Sequence, residues 1–183
     1  MRYLEDELEI PGDSSFLDVG TGNGHFLFEL RDTYVGGRML GIDYSEKSID
    51  LAIDIAKERG LGEDVEFMCA DVVRENPVEW AGEPFDVVLD KGTFDAISLS
   101  DELLEDGRKL EEGYAEKIAQ TVKPGKWFII TSCNWTEDEL KRKLGGVGGM
   151  ITAKDLTEHS GLTGVIRIGI LWQCQVSIFF CFL

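Results

Sequence analysis

Short apolar runs at residues 14–19, 38–42, 65–70, 85–89 and 127–132 alternate with stretches of helical spacing. Runs of this length, rich in Val, Ile and Phe and bounded by Gly, Pro or Asp, predict buried strands. The spacing between them predicts helices at about 24–34, from Ser45 to the glycines at 60 and 62, at about 101–122 with a break at Gly107, and after Thr136. In the second of these, Ile49, Ala52, Ile53 and Ala56 fall on one face, and Ser45 is a favourable N-cap. Thr136-Glu137-Asp138-Glu139 has the form of a capping box. A short helix at 1–9 leads to a turn at Pro11-Gly12-Asp13, and further turns are predicted at Gly36-Gly37, Pro124-Gly125 and, more flexibly, 145–149. Residues 72–83 read as an irregular or helical connection, 91–100 as a loop, and 152–161 as a last capped helix. Strands alternating with helices imply a doubly wound, mostly parallel sheet with helices on both faces, in one domain of 183 residues with its core at 14–145.

Three runs end in an acid: Asp43, Asp71 and Asp90. In a doubly wound sheet such strand ends line one crevice. The first run enters it through Phe16-Leu17-Asp18-Val19-Gly20-Thr21-Gly22-Asn23-Gly24, which reads as strand, glycine turn and helix start. Glycine allows the positive φ angles of such a turn and lets a ligand approach the backbone. Free N–H groups at a helix start favour an electron-rich ligand. The glycine spacing is G-x-G-x-G, whereas dinucleotide enzymes prefer G-x-G-x-x-G; the turn taken alone also fits a tight strand-to-helix connection without a ligand. Asp43, 19 residues after Gly24, is placed to accept from both ribose hydroxyls of a nucleoside, the other reading being a strand-end turn residue. Asp71 is placed to accept from an adenine amino group beside the N–H of Val72, or to cap a helix. Asp90 and the residues that follow it face the reactive end of such a ligand.

Composition removes several function classes. Eighteen basic against 35 acidic residues give a net charge of −17, which disfavours a nucleic-acid partner. Lys141-Arg142-Lys143, the sole basic cluster, follows three acids and reads as a solvated helix face. The two histidines, His25 and His159, make a His/Cys zinc site unexpected. Cys69 and Cys133 lie in apolar runs and read as reduced, buried thiols of a cytoplasmic protein. No tyrosine is followed four residues later by lysine, as many nicotinamide-dependent reductases require, and no G-x-S-x-G elbow is present. The acidic, amphipathic N-terminus does not read as a signal peptide.

Asp18-Val19-Gly20-Thr21-Gly22-Asn23-Gly24, Gly41-Ile42-Asp43-Tyr44-Ser45, Asp90-Lys91-Gly92-Thr93-Phe94-Asp95-Ala96-Ile97 and Thr131-Ser132-Cys133-Asn134-Trp135-Thr136 together resemble class I S-adenosylmethionine (SAM) methyltransferases. Within that class they resemble the methyltransferase-like group that methylates a lysine of translation elongation factor 1-alpha. The first two blocks are shared by many SAM enzymes, the last two are more specific, and the likeness covers residues 14–145. It implies a seven-stranded sheet. It implies that Gly20, Thr21, Gly22 and Asn23, with Asp18 nearby, hold the methionine part of SAM. Asp43 then binds ribose, Tyr44 flanks the adenine, and Asp71 and Val72 read the adenine edge. Asp90 and Asp95 are the implied catalytic carboxylates, holding the incoming lysine near the sulfonium, and Asp90 also borders the cofactor. Lys91 is expected to turn away from the sulfonium and pair with an acid. The implied partner is a basic protein, which suits an acidic, monomeric enzyme acting away from nucleic acid and membranes.

Two features depart from the family. Its members carry a further N-terminal segment with a Trp-Phe-Gly stretch, whereas this chain begins Met1-Arg2-Tyr3-Leu4, which implies a truncated N-terminus. The tail at 165–183 holds a single charge, Arg167, and replaces the family's Phe-Gly-Gly turn and last strand. Its β-branched and aromatic residues favour two further strands. A membrane anchor fits less well, since Arg167, Gln173, Gln175 and Ser177 interrupt it. A misread gene or an alternative transcript would give an irregular C-terminus. An inactive form that binds SAM or a partner, or a methyltransferase for another protein or a small molecule, are the alternatives to an elongation-factor enzyme.

Overall fold

The computed structural model describes Leu8, residues 10–144, and the backbone at 151–152 and 167–172. Seven strands form one sheet: β1 (Phe16–Val19), β2 (Met39–Asp43), β3 (Glu66–Cys69), β4 (Phe85–Lys91), β5 (Val122–Ser132), β6 (Ile151–Thr152) and β7 (Arg167–Trp172). Their spatial order is β3-β2-β1-β4-β5-β7-β6, and every pairing is parallel. The helices are α1 (His25–Arg31), α2 (Glu46–Glu58), α3 (Pro77–Ala81), α4 (Thr93–Ser98), α5 (Leu110–Thr121) and α6 (Glu137–Leu144).

Strand order reverses between β1 and β4, the place where open parallel sheets bind ligands at their carboxyl ends. Val19 stands level with Ile42 on one side and Asp90 on the other, so three strands stop together there. Alternate side chains go to opposite faces of each strand. Leu17, Val19, Ile42, Val88 and Phe128 pack with Trp80, Tyr114, Ile118 and Leu140 of α3, α5 and α6. Phe16, Met39, Val87 and Ile129 pack with Leu27 and Leu30 of α1. Helices therefore cover both faces. The anticipated caps form: Ser45 Oγ accepts from Ser48 N at 3.3 Å, and Thr136 N donates to Glu139 Oε2 at 2.9 Å.

The structure departs from the sequence pattern in four places. Residues 91–100 contain the helix α4 rather than only a loop. The helix predicted from 101 starts at Leu110 instead. Before it the chain folds into a tight turn, with Leu103 bridged to Lys109 and Gly107 at φ +85°, while Leu104 packs toward the core. Pro124-Gly125 does not separate two elements. Strand β5 runs through it, and a register shift opposite Phe85–Val87 absorbs the irregularity. Cys69 and Cys133 are exposed rather than buried. Strand β3 is an edge strand, and Cys133 lies one residue past β5, so neither apolar run encloses its thiol.

Of the tail, residues 167–172 are described, and they form the strand beside β5. Thr152, the expected cap of the last helix, ends β6, and the rest of that stretch lies outside the described residues. The turn at 145–149 and all of the 1–9 stretch except Leu8 also lie outside them.

Candidate active site

The turn after β1 needs its glycines. Gly20, Gly22 and Gly24 have φ of +71°, +57° and +78°. The amides of Gly20 and Thr21 both donate to Ile42 O at 2.8 Å, which ties the turn to β2. Thr21 Oγ1 donates to Asp18 Oδ2 at 2.8 Å. Asp43 closes the arrangement: its Oδ2 accepts from Gly22 N at 3.0 Å and its Oδ1 from Ser45 N at 2.9 Å. Each carboxylate oxygen retains a free acceptor site.

A cleft of about 270 Å³ opens at these strand ends. Gly20, Asp43, Tyr44, Asp71 and Val72 line it, as the motifs suggested. Tyr44 stands at its rim, 82% exposed. Thr21, Gly22 and Asn23 belong to the turn beside it, and Asp18 to the strand that leads into that turn. The backbone over Gly22 is open: a methyl group placed there would have no atom within 4 Å. The opposite wall comes from α4, through Thr93, Ala96 and Ile97. Sequence reasoning missed Arg74, Ser100 and Glu102 on the rim. Arg74 pairs with Asp71 at 2.9 Å and also with Glu102, 28 residues further on, a pairing that only the fold creates.

The acids differ sharply in their surroundings. Asp71 caps the turn after β3: its Oδ1 accepts from Val73 N and Arg74 N, both at 3.0 Å. Partial burial would raise its carboxyl, but the hydrogen bonds from Arg74 and Val73, together with the Arg74 charge, outweigh burial and hold it below the usual range. Asp18 is buried, and desolvation pushes it up to about 6 despite the Thr21 hydrogen bond and the nearby Lys91 charge. Asp90 is only 2% exposed. Its Oδ1 accepts from Thr93 N at 2.8 Å, and its Oδ2 from Phe94 N at 2.9 Å and from the Tyr114 hydroxyl. Burial raises it to about 7, with those three donors acting in opposition.

Asp95 turns inward as well. Its Oδ1 accepts from Ser132 Oγ at 2.5 Å and its Oδ2 from Cys133 N at 2.8 Å, pinning α4 to the end of β5. Trp135 Nε1 adds a bond to Ser98 Oγ at 2.9 Å. Neither Asp90 nor Asp95 lines the cleft: Asp90 accepts from the first two amides of α4, and Asp95 ties the first turn of α4 to the end of β5. The missed signal was local: Asp90 stands three residues before Thr93, the spacing of a side chain that caps a helix start. Lys91 is exposed and makes no ion pair among the described residues; the acid that its charge acts on is Asp18.

The donor set fits a nucleoside with a charged tail. Asp43 offers acceptors for hydroxyls, Val72 and Ile97 an apolar slot for a ring, and the turn at 20–24 backbone that a bulky ligand can approach. Such a turn, acid and slot at the switch point of a 3-2-1-4-5-7-6 sheet define a class I methyltransferase, whose cofactor is SAM. Residues 11–165 match a family described as a methyltransferase domain, and the chain belongs to that family. It is 38% identical to "Protein-lysine N-methyltransferase efm4" of Schizosaccharomyces pombe, over 97% of this chain and 79% of that protein. It is 39% identical to human "EEF1A lysine methyltransferase 2" over 76% of this chain, spanning 56% of that relative's length. Among solved structures, a TehB-like SAM-dependent methyltransferase from Corynebacterium glutamicum superposes with a TM-score of 0.57 at 19% identity, over 78% of this chain and 68% of that one, and shows the shared fold. No helix among the described residues is long and apolar enough to cross a membrane.

Proposed function

We propose that this chain is a protein-lysine N-methyltransferase acting on translation elongation factor 1-alpha. The observation that carries the reading is the coincidence of two things: a cofactor cleft built at the switch point, and relatives named as protein-lysine and EEF1A lysine methyltransferases. Bound SAM supplies a methyl group activated by its positively charged sulfur.

The chain's own residues hold and enclose. Asp43 accepts from the ribose hydroxyls while its other bonds keep the glycine turn closed. Asp71 and Val72 meet the adenine edge, and Tyr44 covers it. Gly20, Thr21, Gly22 and Asn23, with Asp18 behind them, hold the amino-acid end. The acceptor lysine must lose its proton, since a free lysine titrates at about 10.4. Ala96 and Ile97 give the cleft an apolar wall, and a bound substrate that covers it favours the neutral amine. Alignment of amine and methyl group supplies several kcal/mol of the barrier. Asp90 and Asp95 contribute by fixing α4 rather than by meeting the amine. A net charge of −17 supports a basic protein partner and a monomeric enzyme that avoids nucleic acid and anionic membrane surfaces.

The test is incubation of the purified chain with isotopically labelled SAM and unmethylated elongation factor 1-alpha, followed by peptide mass spectrometry. The reading expects label on one lysine, with the intact transferase required. Label absent from the factor but present on another protein or a small molecule would contradict the substrate.

A further inference from the structure

Tyr114 is fully buried in α5, and its hydroxyl donates to Asp90 Oδ2. The same carboxylate accepts from the first two amides of α4, Thr93 N and Phe94 N. Thr93 in turn holds the end of β1, since its Oγ1 donates to Val19 O at 2.7 Å, and it lies against Gly20. A continuous path therefore runs from the Tyr114 hydroxyl through Asp90 to Thr93 and Gly20, both of which line the cleft. Helix α4 has six residues and cannot hold its own position by length.

We infer that Tyr114 is a positioning residue for the cofactor cleft: through Asp90 it sets the first turn of α4, and with it the wall formed by Thr93, Ala96 and Ile97. The inference rests on the cofactor reading of the cleft and extends it to a side chain that never touches the ligand. Ring packing alone does not account for the hydroxyl. The Phe94 and Tyr114 rings pack 5.2 Å apart, a contact that phenylalanine at 114 would keep. What phenylalanine would lose is the third donor to a buried carboxylate.

That loss has a signature in pH. An ionised Asp90 accepts all three hydrogen bonds, whereas a proton on either oxygen competes with one of them. Protonation therefore loosens the start of α4. The groups around Asp90 are Tyr114 from α5, the like charge of Asp18 from β1, Lys91 beside it in β4, and the amides of α4; Asp43 of β2 acts on Asp18. Burial is the largest influence on Asp90 and raises it to about 7, and the Tyr114 hydroxyl is the largest influence that lowers it. Removing the hydroxyl moves the titration of Asp90 to higher pH.

The experiment is calorimetric titration of the full chain with S-adenosylhomocysteine between pH 6 and 9, for the wild type, Tyr114→Phe, Asp90→Asn and the double variant. Affinity of the wild type falls as pH drops through about 7. Tyr114→Phe weakens binding about tenfold at pH 8 and shifts that fall to higher pH. Asp90→Asn binds weakly without the fall near pH 7, and adding Tyr114→Phe to it changes the affinity by less than about twofold. Asp18, pushed up to about 6, is common to all four chains, so the fall assigned to Asp90 is the part near pH 7 that Asp90→Asn removes.

A folded Tyr114→Phe chain with wild-type affinity and an unmoved pH profile would overturn the inference, even if its melting temperature fell. Full additivity in the double variant would overturn it too. Should Tyr114→Phe not fold, Asp90→Asn decides: a retained fall near pH 7, above the Asp18 titration at about 6, overturns the inference, and its loss supports it. A wild-type chain that bound no S-adenosylhomocysteine would overturn the cofactor reading itself, an outcome distinct from all of these.

Discussion

Gly20→Ala is expected to weaken S-adenosylhomocysteine binding by at least about a hundredfold, a loss of roughly 3 kcal/mol. Two costs coincide at this position. Its φ of +71° is one that L side chains adopt at about 1 kcal/mol or more. A methyl group there would also lie 2.0 Å from Thr93 Oγ1. Rotation of Thr93 gives little relief, because its Cβ would remain 3.1 Å away, and the rotation breaks the bond to Val19 O. The turn and α4 must separate, and they are the two walls of the cleft. Gly22→Ala is the control: its φ is +57°, but nothing lies within 4 Å of the added methyl, so strain is its only intramolecular cost. Titration calorimetry on both folded variants checks this, and near-wild-type affinity in Gly20→Ala would mean that the close approach of turn and helix is not needed.

Arg31→Met is expected to lower stability by about 3 kcal/mol, or the melting temperature by about 10 °C. Arg31 ends α1 and is 9% exposed. Its guanidinium donates to Tyr34 O and Gly37 O at 3.0 Å, and to Asp64 O. One side chain thus closes the end of α1, the turn before β2 and the loop before β3. Methionine fills similar space but leaves three carbonyls without that donor, each at a cost of about 1 kcal/mol. Thermal unfolding by circular dichroism reads the effect, and a change under about 2 °C would mean that water replaces the guanidinium without loss.

Arg31 also illustrates what the sequence does not display. Strand ends and their acids follow from local pattern, so Asp43 and Asp71 could be placed at one crevice, and Asp90 near the end of the neighbouring strand, from spacing alone. The glycine turn was legible because three positive φ angles leave a pattern that few other structures need. The direction of a carboxylate is not local. Asp90 and Asp95 look alike in sequence to acids at a pocket mouth, but Tyr114, 24 residues away, and Ser132, 37 residues away, draw them inward. Cys69 sits in an apolar run, and only the strand order reveals that the run forms a sheet edge. Helix α4 escaped notice because six residues carry too little periodicity, and its cap comes from the strand before it. The Arg74–Glu102 pair and the contacts of Arg31 depend on chain segments that meet only after folding.

The most direct test of the account is titration of the purified chain with S-adenosylhomocysteine, repeated with Asp43→Ala. Among the described residues Asp43 alone ties the glycine turn to the end of β2 by a side chain, and in the proposed reading it also offers the ribose its acceptors. The account expects micromolar binding by the wild type and binding too weak to measure in a folded Asp43→Ala chain. Equal affinity in the two, or a folded wild type that binds nothing, would contradict the cleft as the cofactor site.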